Sequence, residues 1–187
     1  VPEIPATAAS TPSRPHDQDA AIAALRERLA EQPGDAEGWR LLGRSLQARG
    51  RFGEAADAFA EATSVNPQDA GAWADFADAA AAAQGRRLAG RPTELVQRAL
   101  SIDPHHPKAL WLAGTAAMQR GDREAAVAHW QRLQSRLPPQ SPDARVIEAN
   151  LKQVRGTRGA VNPDAVDTPA VAVRVTGQVR LDPALAD

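Results

Sequence analysis

Trp39 and Trp73 stand 34 residues apart, and the residues after each follow one plan. After Trp39 come Leu42, Gly43, Leu46, Gly50, Ala55, Phe59, Ala62 and Pro67. Trp39, Leu42 and Leu46 fall at helical spacing on one face, and Ala55, Phe59 and Ala62 mark a similar face further on. A Gly-Arg-Phe-Gly turn over residues 50–53 joins the two expected helices. Gly43 and Ala55 are small, so the helices can approach closely. Pro67 lies just past the second helix, where its missing N–H costs nothing.

The unit recurs. Repeat one occupies about residues 35–67. In repeat two Phe76 takes the place of Leu42 and Ala77 that of Gly43, but the closing Pro104 lies 37 residues after Pro67. Three residues have therefore been inserted, within the long turn from Gln84 to Pro92; Leu95, Val96, Ala99 and Leu100 then form the second helix face. Repeat three runs over about 107–138, with Gly114, Gly121, Ala126 and Trp130 at the places of Gly43, Gly50, Ala55 and Phe59. It departs twice: Leu110 stands where the tryptophans stood, and Leu133 replaces the small Ala62, so some repacking is expected. The plan resembles the tetratricopeptide repeat (TPR), a helix–turn–helix unit of about 34 residues.

The expected fold class is all-α: a TPR solenoid of three repeats with an extra N-terminal helix, a C-terminal capping helix and flexible tails. Residues 1–16, with Pro2, Pro5, Pro12 and Pro15, read as a disordered linker. The TPR domain is expected over 17–154. Asp17 or Asp19 caps its first helix, whose apolar face is Ile22, Leu25 and Leu29 and which Pro33-Gly34 stops. Ser141-Pro142-Asp143 opens a last helix with Val146, Ile147, Leu151 and Val154 on one face. Such a helix covers the core face that the final repeat of a solenoid would otherwise expose. Residues 155–187 read as a linker and the start of a truncated C-terminal β segment. There Val171, Val173, Val175 and Val179 alternate with Arg174, Thr176, Gln178 and Arg180; one strand is not stable alone.

Charge and motifs exclude several function classes. The formal net charge is −1, with no basic stripe interleaved with aromatics, so no nucleic-acid partner is expected. There is no long apolar run and no signal peptide. The first residue is Val, and the chain is expected to be part of a longer protein whose membrane anchor lies outside it. No cysteine is present, which removes disulfides, thiol catalysis and cysteine metal sites. No phosphate loop, nucleophile elbow or repeated carboxylate spacing occurs, so no enzyme activity and no cofactor are expected. His105 and His106 form the one pair that merits a metal test; adjacent histidines point apart and no third ligand completes a site, so no metal is expected.

The second half is more particular. Gln84-Gly85-Arg86-Arg87-Leu88-Ala89-Gly90-Arg91-Pro92, then Arg98 to Pro104, then Lys108 to Gly114 resemble the periplasmic region of cytochrome c maturation factors of the CcmI/CycH type. The insertion sits where that family has it, and the tail from Thr176 to Leu185 resembles the start of the family's C-terminal domain. The resemblance implies a periplasmic domain of an inner-membrane protein of a Gram-negative bacterium, its two membrane segments and cytoplasmic loop lying outside this chain. It implies a chaperone that holds the C-terminal helix of apocytochrome c and delivers it to the subunits of the haem ligation complex. Two other readings stay open. One is a general TPR adaptor in an envelope assembly complex, using its convex face or its arginine loop. The other is a haem- or metal-handling protein using His105 and His106.

In the TPR pattern the first helix of each repeat lines the concave side. Repeat one offers Glu37, Arg40, Arg44 and Gln47; repeat two Ala74, Asp78, Ala81 and Ala82; repeat three Lys108, Trp111, Thr115, Met118 and Gln119. The peptide-binding set is Arg40, Arg44, Gln47, Ala74, Asp78, Trp111, Thr115, Met118 and Gln119. The alanines leave room for an amphipathic client helix, and Trp111 and Met118 supply apolar contact. Arg40 and Arg44 either pair with client carboxylates, the chain terminus among them, or form a solvated face. Trp39, Trp73 and Trp130 read as core. Trp111, one place after Leu110, reads either as groove anchor or as core. Arg86, Arg87 and Arg91 either dock a partner, complement the negative end of the preceding helix, or simply keep the turn soluble.

Overall fold

The computed structural model describes residues 15–156 as eight α-helices, with no strand among them. They are α1 (Pro15–Glu31), α2 (Ala36–Ala48), α3 (Phe52–Val65), α4 (Ala70–Ala83), α5 (Arg91–Ile102), α6 (Pro107–Gln119), α7 (Arg123–Gln134) and α8 (Pro142–Gly156). Three pairs, α2/α3, α4/α5 and α6/α7, stack in order, with α1 against α2 and α8 against α7. This is the expected solenoid. The valine-rich stretch 171–180 and residues 1–14 lie outside the described residues.

Local chemistry sets the ends of the helices. Asp35, Asp69 and Asp122 each accept a hydrogen bond from the backbone N–H three residues on, at 2.8, 3.0 and 3.0 Å. That satisfies an orphan donor of each first turn. Ser141 does the same for α8 at 3.1 Å, with Pro142 as its first residue. The first helix differs from expectation: it starts at Pro15, before either proposed cap, and Asp19 pairs with Arg49, the residue just past α2, at 2.7 Å. The first turn is also tighter than expected, because α3 already begins at Phe52. Gly50, Gly85 and Gly121 close the first helices with φ of 74°, 72° and 79°. The N–H of the residue after each glycine reaches back to Leu46, Ala81 and Ala117.

The core runs between the paired helices. A first cluster joins Leu29, Leu42, Leu46, Phe59, Phe76, Leu88 and Val96, and a second joins Leu110, Trp130, Leu133, Ile147 and Leu151. The departures in repeat three offset each other. Leu110 is smaller than tryptophan, Leu133 is larger than alanine, and both are fully buried in the second cluster. Trp130 is fully buried, as expected. Trp39 and Trp73 are only partly buried. Their indole N–H groups instead donate to the carbonyls of Pro33 and Pro67, at 2.9 and 3.0 Å, fastening each repeat to the turn before it.

Candidate functional site on the face of the first helices

The face shared by α2, α4 and α6 carries a polar belt that crosses all three repeats. Asp75 on α4 is its centre and is 8% exposed. Its carboxylate accepts from Lys108 Nζ on α6 at 2.7 Å and from Arg44 on α2 at 3.4 Å, and Arg40 stands 3.9 Å away. Asp78, one turn further along α4, accepts from Gln47 at 2.9 Å and lies 3.0 Å from Lys108. Burial alone would push the Asp75 carboxyl up; Lys108, Arg44 and Arg40 overcome it and hold the group below the ordinary carboxylate range. Burial would likewise lower Lys108, but Asp75 and Asp78 raise it above the ordinary lysine range.

The expected site residues therefore have unequal roles. Arg40, at 17% side-chain exposure, is bound to Glu37 and Asp69 at 2.9 and 3.1 Å, and its Nε is buried without a partner among the described residues. It is a repeat-to-repeat strut. Arg44 is 51% exposed and touches Asp75 only loosely, so its fork remains accessible. Ala74, expected to leave room for a client, is fully buried with Ala99 and Ala109, because α6 packs directly on α4. Gln119 faces elsewhere: its amide accepts from the Leu88 N–H at 2.8 Å and donates to the Arg86 carbonyl at 2.9 Å.

Trp111, Thr115 and Met118 stay together at the third repeat. Trp111 is partly buried and touches both core clusters. Its ring stacks on Trp130 at 5.8 Å between centroids. Trp111 is thus packed against the core without being fully buried. Thr115 donates to the Trp111 carbonyl at 2.9 Å, and Met118 is partly buried against the second cluster.

The inserted turn is a built structure. Gly85 and Arg86 take left-handed conformations, with φ of 72° and 63°, and Leu88 turns inward to 3% exposure. Gln84 donates to the carbonyls of Arg87 and Ala89, at 2.5 and 3.3 Å, and Thr93 donates to that of Leu88. Arg91 lies over the Phe76 ring, 4.9 Å from its centroid. Beside it runs an open groove of about 340 Å3 lined by Gly53, Ala56, Ala60, Phe76 and Ala80 among others. Neither Arg87 nor Arg91 is paired with a carboxylate among the described residues.

The two histidines of the 103–107 turn part company. His105 is exposed, and its N–H donates to Asp103 at 2.8 Å. His106 is 6% exposed, and its Nδ1 caps α6 by accepting from the Ala109 N–H at 3.3 Å. Burial lowers the affinity of His106 for a proton below the ordinary histidine value, the nearby Asp103 and Asp75 opposing it. A ring already committed to its own helix is poorly placed as a ligand. Among the described residues no group of three or more His, Cys, Asp or Glu could hold a metal ion. Nor is any described helix long and apolar enough to cross a membrane.

Asp75, His106 and Leu88 are what a reading by repeat position leaves out; Lys108 falls on the concave side by that count but outside the peptide-binding set. Asp75 had one signal in the sequence, a carboxylate where the neighbouring repeats place Leu41 and Leu112.

Helix pairs stacked in order, each presenting its first helix to a common face, define a tetratricopeptide-repeat domain. The chain belongs to the family described as "Cytochrome c-type biogenesis protein H TPR domain", whose profile matches residues 6–144. It is similar to the cytochrome c-type biogenesis protein CycH of Pseudomonas aeruginosa, at 30% identity over 170 residues, covering 90% of this chain and 42% of that protein. It is similar also to CcmH of Escherichia coli K12, at 30% identity over 132 residues, covering 69% of this chain and 37% of that one. The chain thus spans less than half the length of these relatives. Among solved structures, MamA matches with a TM-score of 0.65 at 17% identity, over 77% of this chain and 80% of that one, a likeness of fold alone.

Proposed function

We propose that this domain is the client-holding part of a cytochrome c maturation factor. It works in the periplasm, tethered through membrane segments outside this chain, and holds the C-terminal helix of apocytochrome c on the face of α2, α4 and α6. The longer protein passes the client to the haem ligation complex. Family membership supports the pathway. The observation that carries the binding mode is the division of this face. Its charges are largely paired among themselves from Arg40 to Lys108, while Trp111, Thr115 and Met118 remain partly accessible at one end. An amphipathic helix suits such a surface, laying its apolar side on Trp111 and Met118 and its polar side over the belt, with Arg44 and the free atoms of Gln47 and Asp78 as contacts. The test is calorimetric titration with two synthetic peptides, the C-terminal helix of a c-type apocytochrome and the segment around its haem-binding motif. Binding to the first alone is expected. Binding to neither removes this chain as a sufficient client site.

A second reading, an adaptor for a folded partner, is favoured by the inserted turn. The guanidinium of Arg91, over the Phe76 ring, has no carboxylate partner among the described residues and stands beside a largely apolar groove, and Arg87 is near it in the chain. Replacing Arg87 and Arg91 by alanine would then abolish association with the partner and leave client-peptide binding unchanged.

A further inference from the structure

We infer that His106 is a positioning residue for the client-binding face: its unprotonated imidazole fixes the start of α6, and with it Lys108, so that client binding weakens on acidification. The inference rests on the client reading and concerns the regulation of that same face.

The three first helices are capped at equivalent positions by Asp35, Asp69 and His106. An aspartate caps with an oxygen at any pH above the carboxylate range. Histidine caps only with the lone pair of Nδ1, which a proton removes. The groups around the ring are Asp103 in its own turn, Asp69 and Asp75 from α4 and its cap, and Lys108 on α6. Arg40 Nη2 of α2 and His106 Nε2 converge on Gly71, where a Cβ would lie 3.3 and 3.6 Å from them. From α7, Arg132 donates to the Pro104 carbonyl at 2.7 Å.

Protonation at Nδ1 sets two donors face to face, the imidazolium and the Ala109 N–H. The ring must then leave the cap, and Asp103, Asp69 and Asp75 are the carboxylates at hand to receive it. Lys108 sits two residues along the same turn, holding Asp75 and Asp78. Release of the turn loosens that bridge, and an imidazolium near Asp75 competes with it. The direction follows from burial: the folded ring holds its proton less tightly than the unfolded one, whose value is 6.5. The capped state is therefore unaffected above that value and loses ground as pH falls below it.

The test is titration of the chain, at about pH 7.5 and about pH 5.5, either side of the free-histidine range. The probe is a histidine-free C-terminal helix of a c-type apocytochrome. His106→Asp and His106→Asn are measured beside the unaltered chain, and NMR follows the Ala109 amide and the Lys108 side chain. Affinity of the unaltered chain is expected to fall about fivefold, the effect of losing one cap. The Ala109 and Lys108 signals should move with one midpoint, and both variants should be flat. The same pH dependence in the variants overturns the inference, as does an Ala109 titration that leaves Lys108 and affinity unmoved. If the peptide binds at neither pH, the client reading fails on its own. The positioning role is then decided by NMR: a shared midpoint lost in both variants sustains it, and its absence refutes it.

Discussion

The indole of Trp130 occupies the space where a side chain on Gly114 would stand: a Cβ built at 114 overlaps its ring atoms. Gly43 is in the same relation to Phe59, with a Cβ only 2.6 Å from Cε1. At the equivalent places of repeat two stand Ala77 and Val96, both buried in the first cluster. Where the first helix gains a methyl, the second gives up an aromatic. Gly114→Ala should therefore cost about 2 kcal/mol by overpacking, against the gain of less than about 1 kcal/mol that alanine ordinarily brings to a helix. In a Trp130→Val background, which copies the pair of repeat two, the same change should cost about 1 kcal/mol less, measured by urea unfolding as a double-mutant cycle.

Asp75→Asn should destabilise by about 2 kcal/mol at neutral pH, less than for a fully buried pair because Lys108 and Arg44 reach solvent. The folded carboxyl is held below its unfolded value of 3.8, so its contribution is complete above that value and is lost as pH falls below it. Unfolding followed from neutrality to acid should show a steeper loss in the unaltered chain than in the variant. Parallel curves would show that Asp75 is not the acid-sensitive group of the belt.

Gln119→Ala should free the inserted turn while leaving the helices in place. It removes the acceptor for the Leu88 N–H and a donor to Arg86, a loss of about 1 kcal/mol. Amide exchange should accelerate at Leu88 and hardly at all in α2 or α3.

Trp111→Ala should lower both client affinity and stability, because the ring is shared between the accessible face and the stack on Trp130. Removing that aromatic pair costs about 1 kcal/mol beyond the area lost. Trp111→Leu, which keeps more of the packing, should recover much of the melting temperature. Affinity that stays unchanged in a folded Trp111→Leu variant would take the ring out of the client site.

The helices were legible because they obey a period. Trp39, Gly43, Phe59 and Pro67 recur closely enough that the insertion before Pro92 shows as an interruption. Helix ends were less legible, since Pro15 and Phe52 tolerate the first turn of a helix as readily as a loop. The site was legible in outline only. Positional counting put Ala74 on an open face, but a methyl side chain there lets α6 close over it. It placed Arg40 and Arg44 side by side, whereas Asp69 and Asp75 separate a strut from a more open cation. The ion pairs of Asp75 join residues 31, 33 and 35 places away, so they follow from how repeats stack rather than from any local pattern. Gln119 reads as a polar helix residue until the turn it holds is seen.

The two junctions along the first helices are held by different forces. Between α4 and α6 the helices pack directly as well as sharing Lys108; between α2 and α4, side chains reach across from Arg40, Arg44 and Gln47. Apolar contact is indifferent to dissolved ions, whereas partly exposed charge pairs weaken as ionic strength rises. Behind the first joint, however, α3 packs on α4 through the shared apolar core. Salt would therefore loosen only the polar edge between α2 and α4, while the core holds the repeats together and the platform under Trp111 keeps its shape.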